Sequence, residues 1–245
     1  MALDIIKVQE YVETNIPLFH SKRLESLDRL DIGKIIARKN PYLFRAKNLG
    51  PAELVRSFAD AIISSNEETV FGDWLEGLAI FVNDLVFGGR KSGIQGIDLE
   101  FETGEVKYIV SIKSGPNWGN SSQIKKMAQD FKSAKKILRT SNSNINVIAV
   151  NGCCYGRDNR PDKGDYFKYC GEEFWKFISG DPLLYKDLIK PLGYNAKLRN
   201  EEFLISYNNK ITVLQRDFLI RFCTTDGAID WGKIIEFNSG AKKSG

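Results

Sequence analysis

A chain of 245 residues, 42% apolar and 27% charged, is long enough to bury a sizeable core, as one domain with an appended subdomain. Its balance is that of a globular protein rather than a disordered or fibrous one. The net charge of +4 and pI near 8.7 permit a polyanionic partner without requiring one. No run of about eighteen apolar residues is present to span a membrane, and no signal-peptide pattern opens the chain. The single histidine, His20, reads as a surface residue and leaves histidine-metal or serine-histidine chemistry without material. Cys153, Cys154, Cys170 and Cys223 lack zinc-ligand spacing, which predicts buried free thiols in a reducing, cytoplasmic setting.

Residues 1–38 read as helical with an interruption at Pro17, and Pro41 breaks the pattern before a helical segment at 51–64. Lys22, Arg23, Arg29, Lys34, Arg38, Lys39, Arg45 and Lys47 make the first fifty residues basic. They either line a surface for an anionic partner or, with Glu25, Asp28 and Asp31 among them, form a solvated helical face. Residues 64–66 offer caps for a helix through Val86 that places Val70, Phe71, Trp74, Leu75, Leu78, Val82 and Leu85 on one broad face, with Glu76 away from it beside Asp73, Ile80 and Asn83. A loop with Gly88, Gly89 and Gly93 leads into a strand at 97–101, a Gly-containing turn at 102–105 and a β-branched and aromatic strand at 106–112, which together predict a hairpin.

After the hairpin, GPNWGN reads as a turn, and Ser121 or Ser122 as the cap of a helix to about Leu138. A short buried strand is expected at 145–150, then a polar, Gly-rich loop, then helices at 174–178 and 183–192 parted by the Gly-Asp-Pro break at 180–182. The expected fold is α/β, with a mixed central sheet flanked by helices. It divides into a helical N-terminal region at 1–64, a main domain at 65–238 and a flexible tail at 239–245.

The hairpin concentrates the chemistry. Asp98 near the start of the first strand and Lys113 at the end of the second can approach one another, and Ser111 shares the face of Lys113 by the two-residue period. Glu100, two residues after Asp98, points to the same side. A carboxylate that holds a divalent cation beside an ammonium that orients water is the arrangement of a metal-dependent nuclease.

Asp98 within GID and Ser111-Ile112-Lys113 within SIKSG resemble the acid, gap, acid-x-lysine motif of the PD-(D/E)XK nuclease superfamily. KNPYLFRAKN at 39–48, ETVFGDWLEGLAIFVN at 68–83, SGPNWGNSSQ at 114–123, and NGCCYG with YCGEEFWKFISGD within 151–181 look like type II restriction endonucleases, in order and in spacing. The resemblance covers roughly residues 30–195. It implies a restriction-endonuclease-like core, Mg²⁺-dependent hydrolysis of phosphodiester bonds in double-stranded DNA, a homodimer, and a cognate methyltransferase.

The resemblance also assigns residues. Asp98 and the Ile112 carbonyl hold the metal, and Lys113 contacts the attacking water and the scissile phosphate. Ser111 stands where the motif has its second acid and cannot serve as an anionic ligand, so another carboxylate is needed. Glu76, from the first core helix, is the first choice, with Glu100 and Asp130 as rivals. Asn117, Trp118, Asn120, Ser122 and Gln123 fall beside the scissile phosphate or a groove, as readers of adenine edges or holders of phosphate, or else they form a structural turn plugged by Trp118. Arg157, Asn159 and Arg160 are either further base readers or an exposed basic loop with no specific role, and Lys39 and Arg45, from the basic first fifty residues, are candidate DNA-binding residues. A structure-specific repair nuclease and a non-catalytic DNA-binding protein on a degenerate scaffold are the rival readings, and Ser111 favours the second.

Overall fold

The computed structural model describes residues 2–141 and 145–241. In chain order the elements are α1 (Ile5–Asp28), α2 (Ile32–Ile36), α3 (Pro41–Lys47), α4 (Pro51–Phe87), β1 (Arg90–Lys91), β2 (Leu99–Thr103), β3 (Val106–Lys113), α5 (Ser121–Ser141), β4 (Asn146–Cys153), β5 (Phe167–Cys170), α6 (Glu172–Ser179), α7 (Leu184–Asp187), α8 (Ile189–Leu192), α9 (Ala196–Phe222) and α10 (Trp231–Ser239). The strands form one sheet in the order β1-β2-β3-β4-β5, antiparallel across the first three and parallel across the last three. The fold is thus α/β with a mixed sheet, a restriction-endonuclease-like core.

Two compact units interleave along the chain: residues up to Pro17 join Phe71–Tyr194, and Leu18–Val70 join the segment from Asn195 onward. This division differs from the expected boundary at 64/65, because both α1 and α4 contribute to each unit. Pro17 lies inside α1 instead of interrupting it. Residues 64–66 do not cap a helix either, because α4 runs unbroken for 37 residues. A cap preference of about 1 kcal/mol is outweighed by the burial of Ile63 in one unit and of Leu75, Leu78 and Val82 in the other. Pro41 begins α3 rather than ending a helix. Asn40 caps it, its Oδ1 accepting from the N–H groups of Tyr42 and Leu43 at 3.1 and 3.3 Å, with the proline at the first position, where its missing N–H costs nothing.

The sheet-containing unit is built in three layers. Val110 and Ile112 of β3, Leu99 and Phe101 of β2, and Val150 of β4 pack with Val8 and Val12 of α1, Leu75, Leu78, Ala79 and Val82 of α4, and Phe174, Trp175 and Ile178 of α6. The alternate residues Ile109, Val147 and Ala149 pack on the other face against Met127, Phe131 and Ala134 of α5. By the same alternation, Ser111 and Lys113 lie on the α5 face. The second unit is helical, with a core of Leu27, Ile32, Ile35, Leu54, Phe58, Ile211, Leu214 and Phe218, among others.

His20 lies in this helical unit and is half-buried, not a surface residue; its Nδ1 is buried without a hydrogen-bond partner. Burial, then the charges of Arg23 and Arg199, lowers its pKa from the ordinary value. The expected tail lies, from residue 242 on, outside the described residues. Among the described residues no helix is long and apolar enough to cross a membrane.

Gly152 of β4 faces the ring of the fully buried Phe174, and a Cβ at that position would overlap it. We expect Gly152→Ala to lower stability by about 1–3 kcal/mol, the usual cost of overpacking, read as a reduced urea midpoint with an unchanged slope. An unchanged midpoint would show that this sheet–helix packing is looser than described.

Candidate active site

The hairpin forms as expected, with Leu99 opposite Val110 and Thr103 opposite Val106, and with Gly104 in the turn at φ +60. Asp98 stands just before β2. Its N–H donates to the Val110 carbonyl at 2.9 Å, and its carbonyl accepts from the Ser92 N–H at 3.2 Å, so the backbone around it is fixed on both sides. Two hydrogen bonds and an ion pair converge on its Oδ2: the Ile112 N–H donates at 2.7 Å and the Ser111 hydroxyl at 3.3 Å, and the Lys113 ammonium lies at 3.6 Å. Ser111 is 2% exposed. At a position where a second carboxylate would repel Asp98, its hydroxyl donates to it instead.

Lys113 is held from the far side by an aromatic face. Its Nζ lies 5.4 Å from the centroid of the Trp118 ring, within cation–π range. The indole Nε1–H in turn donates to Oδ1 of Asn151 at 3.2 Å, and the Asn151 amide donates to the Ser111 carbonyl at 3.2 Å. Beyond β3 the ladder continues, the Cys154 N–H donating to the Lys113 carbonyl and the Tyr155 N–H to that of Ser114. The turn after Lys113 is pinned by Lys168, whose ammonium donates to the Pro116 carbonyl at 2.9 Å. Lys168 also pairs with Asp158 at 3.7 Å, beside Lys163 at 2.9 Å. Burial opposes ionisation of Asp158, but the Lys163 hydrogen bond, the Arg160 N–H and the two lysine charges outweigh it and hold this carboxyl below its ordinary value.

The structure separates the three acids considered for a second ligand. Neighbouring residues of the two-residue strand β1 point to opposite faces: Arg90 pairs with Glu100 at 2.8 Å and Lys91 with Glu76 at 3.2 Å. Glu100 is further neutralised by Lys107 at 3.5 Å and lines a separate cavity of about 300 Å³ with Arg90, Glu102 and Lys107. Glu76 approaches from the α4 side, close enough that its charge adds to burial in raising the Cys154 thiol. Asp130 pairs with Lys126 at 3.0 Å and packs against Gly96, two residues before Asp98, where φ is +79 and a Cβ would lie 2.6 Å from its Oδ2. Among the described residues no group of three or more His, Cys, Asp or Glu converges as a ready-made cation cage.

The expected DNA-reading residues meet different fates. Asn120, not Ser121 or Ser122, caps α5: its Oδ1 accepts from the N–H groups of Ser122 and Gln123, both at 3.1 Å, and Gln123 Oε1 accepts from the Asn120 N–H at 2.9 Å. This reciprocal box occupies both side-chain oxygens. Asn117, Ser122, Arg157, Asn159 and Arg160 are exposed, and Trp118 is half-buried. Lys39 and Arg45 belong to the helical unit. Lys39 lines a cavity of about 340 Å³ with Arg29, Lys34 and Arg38, and Arg45 lies over Trp231. Asn151, which opens NGCCYG, has no role assigned in the sequence reading and falls there in a loop, whereas β4 runs on through it to Cys153. Its signal is an amide placed directly after the apolar run Ile148-Ala149-Val150, where a polar side chain calls for partners.

An acid and a lysine are drawn together where a hairpin joins a mixed α/β sheet, on a core of the restriction-endonuclease-like class. The family model described as Type II restriction endonuclease EcoO109I matches residues 6–200, and the chain belongs to that family. Restriction endonucleases are DNA-binding hydrolases, and membership places this chain among them. No match was found among curated proteins.

All four cysteines are free and buried. Burial raises each thiol, Cys154 to about 12 and Cys153, Cys170 and Cys223 likewise upward. Thiolate is the reactive form, so we expect negligible reaction of the native protein with a thiol-specific disulfide reagent at neutral pH and full reaction in denaturant. Rapid native reaction at Cys153, Cys154 or Cys170 would show that the β4–β5 end of the sheet opens, and at Cys223 that the end of α9 does.

Proposed function

We propose that this protein is a type II restriction endonuclease that hydrolyses phosphodiester bonds of double-stranded DNA at a specific sequence, through a PD-(D/E)XK site built on Asp98 and Lys113 and served by Mg²⁺. The observation that carries the reading is the convergence of Ser111, Ile112 and Lys113 on Oδ2 of Asp98. It presents a carboxylate and an ammonium side by side at the hairpin.

Carboxylate and main-chain carbonyl oxygens are the hard donors that Mg²⁺ prefers, and Mg²⁺ fills most of its octahedron with water and phosphate oxygens, so a sparse protein set suffices. Asp98 is the primary ligand, the Ile112 carbonyl a second, and Glu76 the further carboxylate. Glu76 is favoured over Glu100 because it pairs with one cation, Lys91, where Glu100 pairs with two. The charge of Glu76 reaches Cys154, whose N–H is bonded to the Lys113 carbonyl. When bound, Mg²⁺ supplies charge neutralisation at the phosphoryl oxygens and a more acidic water.

The protein's own groups do the rest. Lys113 donates to the attacking water and to a non-bridging phosphate oxygen, which orients in-line approach and stabilises charge that grows in the transition state. Ser111 keeps the Asp98 carboxylate turned. Asn117, Arg157 and Arg160 are the exposed side chains suited to base edges, arginine to guanine above all, while Lys39 and Arg45 suit phosphate contacts. One such site cuts one strand, so a two-fold homodimer cleaves both strands of a palindrome, and a cognate methyltransferase protects the host genome. A non-catalytic DNA-binding role is the second reading, favoured by the loss of the motif's acid at Ser111.

Plasmid cleavage with Mg²⁺ tests the proposal. We expect discrete fragments from the wild-type protein, loss of at least about 10²-fold in rate in Asp98→Ala and in Lys113→Ala, as for removal of one transition-state contact, and no cleavage in EDTA. Intact plasmid despite tight binding to duplex DNA would overturn the catalytic reading in favour of the second.

A further inference from the structure

The buried amide of Asn151 has no place in the chemistry above, yet it touches both halves of the site. It is 1% exposed and lies directly opposite Ser111 in the parallel β3–β4 register. Its Nδ2 donates to the Ser111 carbonyl, and its Oδ1 accepts from the Trp118 indole N–H. The Ser111 carbonyl belongs to the same peptide plane as the Ile112 N–H, which donates to Asp98 Oδ2. One peptide is therefore gripped at its oxygen by Asn151 and at its nitrogen by Asp98. The indole tied to Asn151 lies against the Lys113 ammonium.

We infer that Asn151 is a positioning residue: it holds Trp118 as a platform that fixes the Lys113 ammonium beside Asp98. The inference rests on the nuclease reading for its consequence in turnover, but not for its geometry. A lysine on a four-carbon stem has large rotamer freedom, and a cation–π face restrains it without consuming its three donors. An amide suits the position because it offers a donor to the carbonyl and an acceptor to the indole at once. Aspartate loses the donor and leucine loses both. The Trp118 side of the contact is half-exposed, so the platform is held by this hydrogen bond and not by burial alone.

The test reads the lysine directly. Lysines are ¹³C-dimethylated, and the Lys113 signal is assigned by its absence in Lys113→Arg. In the wild-type protein the ring current of Trp118 should move this signal away from those of exposed lysines. Asn151→Leu and, separately, Trp118→Leu should both return it toward them, with circular dichroism showing an intact fold. Trp118→Phe, which keeps a ring but has no N–H, sits on the half-exposed side and guards against misfolding of the buried variant; it should shift the signal part of the way. A Lys113 signal unmoved in folded Asn151→Leu and in Trp118→Phe would overturn the inference.

Cleavage kinetics give the consequence. Asn151→Leu should lower kcat by about 10–100-fold with KM little changed, the pattern of a contact realised in the transition state. A rise in KM at constant kcat would contradict a positioning role. If the wild-type protein cleaves nothing while the Lys113 signal still responds, the positioning stands and the nuclease reading is what fails.

Discussion

Everything proposed for this site depends on one carboxylate oxygen. Oδ2 of Asp98 takes a main-chain N–H, a hydroxyl and an ammonium from three consecutive residues of β3. A hydrogen bond that involves a charged group contributes about 1.5–3 kcal/mol. Fully burying a single large apolar side chain contributes about as much, and the sheet buries many, from Leu99 and Val110 on one face to Ile109 and Phe131 on the other. The fold therefore holds the site, and the site's own bonds orient it.

That orientation originates in alternation along one strand. Val110 and Ile112 are drawn into the core shared with α4, which leaves Ser111 and Lys113 no choice but the α5 face. The register with β2 and β4 then sets their neighbours, Asp98 on one side and Asn151 on the other. A one-residue slip would turn Lys113 into the core shared with α4 and Ile112 out of it, and the cost of burying the ammonium makes the register secure. A serine at 111 fits this local arrangement: its hydroxyl both tolerates burial and donates to Asp98, which a carboxylate could not do.

Much of this was legible in the sequence because it follows from local pattern. The two-residue period located the hairpin and put Asp98, Ser111 and Lys113 together, and the apolar stripe of α4 was read correctly around Leu75, Leu78 and Val82. What escaped depends on distant partners. The strands β1 and β5 are too short, at two and four residues, to carry a period, and their existence is fixed by pairing with β2 and β4. The continuity of α4 through Ser64–Asn66 and of α1 through Pro17 is decided by burial on both sides of each segment. Asn120 and Gln123 carry the S/T/D/N-x-x-E/Q spacing of a capping box, so their commitment to α5 was readable, but their suitability for DNA competed with it. The affinity of Glu76 for Lys91 and of Glu100 for Arg90 reflects which face each occupies, information present only once β1 is placed.

The most direct measurement of a metal site organised by Asp98 is paramagnetic broadening by Mn²⁺ of the Trp118 indole N–H signal. This proton is bonded to Asn151, and its ring faces the lysine that contacts Asp98. Broadening in the wild-type protein that is reversed by EDTA and absent in Asp98→Asn is the outcome required. Broadening that persists in Asp98→Asn, or none in the wild-type protein, would contradict it.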